Sequence, residues 1–291
     1  MTGEQRPDEK TIQRNPHPNF KEVESSRPDW REEAKPSFTK TRKPDWKLGS
    51  GANDDGASLE KNHVEIDPYA EGRSPGLNYK LLISAVVPRP IGFLSTRSKD
   101  GQSTNLSPFS YFQVINSEPP LFIISFASSL ENPKDSLRNL VESREGVINI
   151  VSDHFIEALN HTSINAPYGV SEFDVSGLHP ADARHVQAPR VKEAVFSIEA
   201  KLVEIREYKS KLSPSRTTCV MAVVEGVNFW AREDAIDEQR SLVDPSVLRP
   251  VARLGGISYG RLTDLIELPR PEWEKLSAEE KAQLSHPNCK S

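Results

Sequence analysis

The chain has 291 residues, 36% of them hydrophobic, with two cysteines and a formal net charge of −5. That length and apolar content can bury an enzyme-sized core, as one large or two small domains, while the acidic balance argues against a broad nucleic-acid footprint. No stretch approaches transmembrane length, no apolar signal core opens the chain, and the cysteines supply neither a disulfide framework nor a C-x-x-C pair, so a reducing, cytoplasmic setting with no membrane contact is expected.

Residues 1–75 are rich in Pro, Lys, Arg, Glu, Asp and Ser and poor in aliphatic side chains. Such a segment cannot readily offset the entropy of folding alone and is predicted to form an extended or disordered arm. It holds a short echo, Arg27-Pro28-Asp29-Trp30 and Lys43-Pro44-Asp45-Trp46. Indole rings are costly to leave in water, so the tryptophans are expected to pin the arm onto the folded body or across a dimer; the rival reading is a pair of linear motifs for another protein.

The most informative segment runs from Val87 to Ser110, VPRPIGFLSTRSKDGQSTNLSPFS. Pro88 and Pro90 remove ladder donors on either side of Arg89, so a strand is predicted from about Ile91. Ser98-Lys99-Asp100-Gly101 carries hairpin-turn chemistry, and a strand returns through Gln102 to Leu106. Beyond it, Asn105, Ser107, Ser110 and backbone N–H groups are predicted to converge as a loop on an anion, most obviously phosphate, with Pro108 stiffening the turn.

A strand over Leu121–Ala127 leads to Asn132-Pro133-Lys134-Asp135-Ser136. An N-cap candidate precedes proline at the first helical position, with a cation and a hydroxyl in the first turn, ahead of Leu137, Leu140 and Val141. Open N–H groups and the helix dipole favour a phosphate there, Lys134 adds charge, and Asp135 opposes it. The alternative is a well-capped surface helix.

Further strands are predicted over Gly146–Val151, Ala194–Arg206 and Thr217–Phe229, and a short helix over Asp153–Asn160 capped by the aspartate. Residues 166–189 form a loop excursion, and the segment from Pro269 onward is a polar helix and tail. The expected class is mainly β with appended helices.

Other chemistries find little footing. Gly256-Ile257-Ser258-Tyr259-Gly260 fits G-x-S-x-G, but a nucleophile elbow needs a strand-turn-helix setting with a following acid and histidine. No Rossmann or P-loop fingerprint occurs. The scattered histidines suggest no metal site.

The run PRPIGFLSTRSKDGQSTNLSPFSYF, followed in order by PPLFIISFA, NPKDSLRNL, GVINIV, SEFDVSGL, APRVKEAVFSIEAKL and RLGGISYGRL, resembles the flavin reductase-like family of FMN-binding split β-barrels. The resemblance implies a barrel over residues 76–268, flanked by the arm (1–75) and a C-terminal helix and tail (269–291). It also implies a homodimer with FMN at the interface, and NAD(P)H giving hydride to the flavin. By the same token Ser95 and Thr96 match the isoalloxazine or ribityl region. Asn105, Ser107, Phe109 and Ser110 match the flavin and phosphate loop, and Lys134 and Ser136 the phosphate-side helix start. Arg89 matches the PRP signature and approaches the flavin edge, or serves as a structural arginine. His161 lies where the family approaches the cofactor, and Arg253 faces the site or pairs with an acid. Gly92 and Ser107 depart from the commoner alanine. The catalytic groups, substrate and electron acceptor stay open, as do two other readings: an FMN-dependent oxidase or oxygenase, and a non-enzymatic FMN-binding interaction protein.

Overall fold

The computed structural model describes residues 15–284. Seven strands form one antiparallel sheet: β1 (Gly92–Arg97), β2 (Thr104–Phe109), β3 (Phe112–Ser117), β4 (Pro120–Phe126), β5 (Glu145–Ile150), β6 (Phe196–Lys209) and β7 (Thr217–Ala231). Their spatial order is β2-β1-β5-β6-β7-β4-β3. The two edge strands, β2 and β3, are joined only by Ser110 and Tyr111, so the sheet must curl until its edges approach. Phe109 packs edge-on against Phe126, with ring centroids 4.7 Å apart, and the Ser125 N–H donates to the Tyr111 carbonyl at 2.9 Å. The product is a split barrel.

Helices fill and cover it. The helix α1 (Pro75–Ala85) starts with proline in its first turn and buries only Ile83. The amphipathic α2 (Asp135–Ser143) inserts Leu137 and Leu140 into the barrel core beside Leu94, Ile124, Phe126 and Ile198. On the opposite face of β1, Phe93 joins Leu106, Val151 and residues of two short helices, α3 (Ile156–His161) and α4 (Glu172–Ser176). The first strand is therefore buried on both faces, which explains its lack of polar alternation.

By contact the described residues divide into two units. One holds residues 15–35 and 68–262, and the other holds 36–67 with 263–284. In the second, Ser37–Phe38 pairs in parallel with Asp264–Leu265, and Trp46 Nε1 donates to the Gly51 carbonyl at 2.9 Å. In the first, the Arg261 guanidinium lies 3.8 Å from the Trp30 ring centre, and Glu32 pairs with Arg249 at 3.5 Å. Trp30 thus anchors its part of the arm to the barrel unit, whereas Trp46 serves a local turn.

Several local expectations require correction. Ser107 to Phe109 are not in a loop: β2 continues past Leu106 to Phe109, and Pro108 is tolerated because β2 is an edge strand. The helix starts at Asp135 after Lys134, without a side-chain cap. Ser128 Oγ instead accepts from the Lys134 N–H and donates to the Asn132 carbonyl, holding the preceding turn. Asp153 does not cap a helix; its Oδ2 accepts from Arg249 Nε at 3.0 Å. Strand β3 and helix α1 carried no clear sequence signal, because β3 is mostly exposed and α1 has little apolar periodicity.

Candidate functional site

The site is built where β2 meets the start of α2. Alternation along an extended strand places Asn105, Ser107 and Phe109 on one face, a row of about 13 Å at ordinary strand rise. The Ser136 hydroxyl donates to Asn105 Oδ1 at 2.5 Å, tying the near end of this row to the first turn of α2. The far end reaches the barrel seam, where Phe109 meets Phe126. Ser107, Phe109 and Ser110 are partly exposed and Lys134 is exposed, so a ligand can reach these four. No side chain caps α2, whose first-turn N–H groups have no partner within the helix, the arrangement that favours an anion at a helix start.

Behind this face lies a buried polar network. Asn105 Nδ2 donates to Glu172 Oε2 at 2.9 Å, and the Leu106 N–H donates to the same oxygen at 2.9 Å. The second bond satisfies a main-chain donor on the open edge of β2, which no neighbouring strand can do. Thr104 and Ser171 hydroxyls meet at 2.7 Å one step along the same edge. Deeper in, Asn139 Nδ2 donates to Thr96 Oγ1 at 3.3 Å and Asn139 Oδ1 accepts from the Tyr168 hydroxyl at 2.9 Å. Tyr168 in turn stacks on Arg138, 4.3 Å from the ring centre. Burial raises the Glu172 carboxyl above the usual carboxylate range, and the charge of Asp135 adds to the rise. Asp135 is itself raised by burial, against the pull of Arg138.

The residues singled out in the sequence therefore separate into two sets. Thr96, Asn105 and Ser136 are buried and already bonded to protein partners, and Ser95 Oγ is buried without a partner on the strand between β2 and β5. Ser107, Phe109, Ser110 and Lys134 form the accessible set. Arg89 is buried: Nη1 donates to the Ile83 and Val86 carbonyls at 2.6 and 2.7 Å, Nη2 to the Leu254 carbonyl at 3.0 Å, and Nε reaches Ser110 Oγ at 3.5 Å. Its donors close the C-terminus of α1 and the RLGG turn, so it acts as a clamp beside Ser110.

Elsewhere, His161 is exposed and its Nδ1 meets the Glu157 carbonyl of its own helix at 2.9 Å. Arg253 stacks over Tyr259 and donates to the Ser258 carbonyl. Ser258 sits in the turn between the paired strands Val251–Arg253 and Tyr259–Arg261, so G-x-S-x-G is a hairpin turn here. Among the described residues no cluster of three or more His, Cys, Asp or Glu can hold a metal ion, and no helix is long and apolar enough to cross a membrane. Sequence reasoning missed Glu172, Asn139 and Tyr168. Their only signals were a carboxylate opening SEFDVSGL and an aromatic in the preceding loop.

Comparison with known proteins bears directly on this arrangement. Residues 84–248 match the flavin reductase like domain. An uncharacterized protein of Aquifex aeolicus is 40% identical over 183 residues, covering 62% of this chain and 88% of its own length. The crystal structure of nitrilotriacetate monooxygenase component B from Bacillus cereus superposes with a TM-score of 0.66 at 29% identity, covering 72% of this chain and all of that one. The 2-nitrobenzoate 2-nitroreductase NbaA of Pseudomonas fluorescens gives a TM-score of 0.62 at 28% identity, covering 75% of this chain and all of its own.

Proposed function

The chain belongs to the flavin reductase like family, and from that premise we propose that it is an FMN-binding oxidoreductase that takes hydride from NAD(P)H. The observation that carries this reading is the row Asn105–Ser107–Phe109, tied at one end to an uncapped helix start and ending at the other on an aromatic ring. A phosphate fits the first end and a flat ring system the second.

FMN, when bound, supplies a reversible two-electron carrier. The protein's part is positional and electrostatic. Lys134 and the first-turn N–H groups of α2 hold the phosphate. Ser107 and Ser110 offer hydroxyls to the ribityl chain, and Phe109 bounds the ring. Thr96, Asn105 and Ser136 brace the row from behind, since their polar atoms are engaged with Asn139, Glu172 and each other. Arg89 fixes the Ser110 end through its carbonyl contacts. Close, aligned approach of donor and acceptor is the main requirement for such a transfer, so a catalytic triad is not needed.

A homodimer completes the reading. The helix α1 exposes Leu77, Leu81 and Leu82, and Val86, Val87 and Tyr111 are exposed nearby in the chain or the fold, more apolar surface than one helix of a monomer usually leaves in water. The NbaA likeness leaves room for a nitro compound among the electron acceptors.

Titration of the protein with FMN, followed by flavin fluorescence, tests the reading. Saturable binding with steady NAD(P)H oxidation supports it; no binding refutes it. Lys134→Ala should weaken FMN about tenfold and leave riboflavin, which lacks the phosphate, nearly unchanged.

A further inference from the structure

Glu172 is a buried carboxylate placed by the fold against the candidate cofactor face, and the flavin reading gives it no part beyond holding Asn105. Its Oε2 receives both the Asn105 amide and the Leu106 N–H, immediately before the accessible residues Ser107 to Ser110. Asn105 in turn accepts from Ser136 at the start of α2. A continuous hydrogen-bonded chain therefore runs from Glu172 through Asn105 to the turn where a phosphate is expected. On the reading that this turn holds the FMN phosphate, we propose that Glu172 is a positioning residue that couples uptake of one proton to occupation of the phosphate end.

Two opposed effects of one side chain carry the proposal. The carboxylate fixes the free edge of β2 through acceptor bonds, which a neutral carboxyl or amide oxygen can also make. Its negative charge, however, sits in the same buried network as the phosphate site and repels a second anion, an effect strengthened by the low local dielectric. Binding a phosphate thus favours the protonated form of Glu172, and by linkage protonation favours the phosphate.

The surrounding charges point the same way. The strand β2, TNLSPF, bears no titratable group. From α2, Asp135 is half-buried and adds like charge. Lys134 is exposed, and Arg138 is committed to Glu142 and Tyr168. The helix α3 contributes exposed Glu157 and His161, the latter turned to its own helix carbonyl. Asp174 is the other acid of α4 and is exposed. In the turn before β2, Arg97 donates to the Gly101 carbonyl and Asp100 is bonded to Ser98, with exposed Lys99 between them. Burial keeps the Glu172 carboxyl raised, and the charge of Asp135 adds to the rise.

The test measures FMN and riboflavin affinities of the intact protein from pH 5 to pH 8, with proton exchange read by calorimetry in buffers of different ionisation enthalpy. The wild type should take up more protons with FMN than Glu172→Gln does, because the phosphate's own ionisation is common to both. Glu172→Gln should bind FMN about fivefold to tenfold more tightly than wild type near pH 8, with riboflavin unchanged. Glu172→Ala, which loses the acceptor, should weaken both flavins. Asp135→Asn offers an independent arm: by removing like charge it should shift the FMN pH dependence of the wild type toward lower pH. Equal FMN-to-riboflavin ratios in wild type and Glu172→Gln at every pH would overturn the proposal, as would an unshifted profile in Asp135→Asn. Wild type that binds riboflavin but shows no preference for FMN would refute the phosphate reading beneath it.

Discussion

Arg89 and Leu254 stand 165 residues apart in the chain and are joined by a 3.0 Å hydrogen bond from the guanidinium to the carbonyl. The same side chain gathers the carbonyls of Ile83 and Val86, so α1, the PRP segment and the RLGG turn share one cation. Replacing Arg89 with alanine leaves these carbonyls without their donor. The expected loss is about 2–4 kcal/mol of unfolding free energy, measured in urea. Arg89→Lys should recover only part of it, because an ammonium cannot reproduce the planar fork.

Glu199 makes the clearest pH prediction. It is buried on β6, which by itself raises a carboxyl, yet Trp230, the Arg184 N–H, Asn228 and the His185 N–H together hold it down to about 2. A folded-state value below the unfolded one, about 4.3, contributes stability above the unfolded value that is lost as pH falls toward about 2. Glu199→Gln should cost roughly 2–4 kcal/mol at pH 7. Its deficit against wild type should shrink between pH 5 and pH 3 in denaturant titrations; a constant deficit would contradict this assignment.

Gly92 lies where β1 faces the seam of the barrel. A Cβ there would stand 2.8 Å from Phe112 Cγ, and Phe112 is buried in the core and stacked with Phe122. Gly92→Ala should therefore destabilise the fold by about 1–3 kcal/mol. The paired substitution Gly92→Ala with Phe112→Leu should recover part of that loss, a coupling readable by a double-mutant cycle.

Trp30 beneath Arg261 predicts a protected arm segment. Trp30→Ala should speed proteolytic cleavage between residues 15 and 35 severalfold at unchanged barrel stability, since such a stacking contact is worth about 0.5–1 kcal/mol. Trp46→Ala, which removes only a bond to the Gly51 carbonyl, should leave cleavage in that stretch unaltered.

The barrel was largely legible in the residues. β4 to β7 are Val-, Ile- and Phe-rich runs whose limits moved by only a few positions, because their apolar faces line one core. The hairpin turn at Asp100-Gly101 was legible from backbone demands alone, Gly101 having φ +73°. What the sequence concealed was partner choice. Proline at position 108 suggested a loop, but an edge strand needs no donor there. Asn105 and Ser136 read as ligand groups because hydroxyl and amide side chains suit anions. In the fold they serve each other and Glu172, a partner 67 positions from Asn105 that no local pattern could reveal. Asp153 likewise had the local spacing of a cap, and a long-range arginine claimed it.

The central claim is that this face holds FMN for reduction by a nicotinamide. Its most direct test is the visible spectrum of the purified protein with FMN, recorded without air before and after addition of NADH or NADPH. The account predicts a yellow protein whose absorbance bleaches rapidly and returns when air is admitted. A protein that stays colourless after FMN is supplied and free flavin removed, and that oxidises neither nicotinamide with free flavin present, would contradict it.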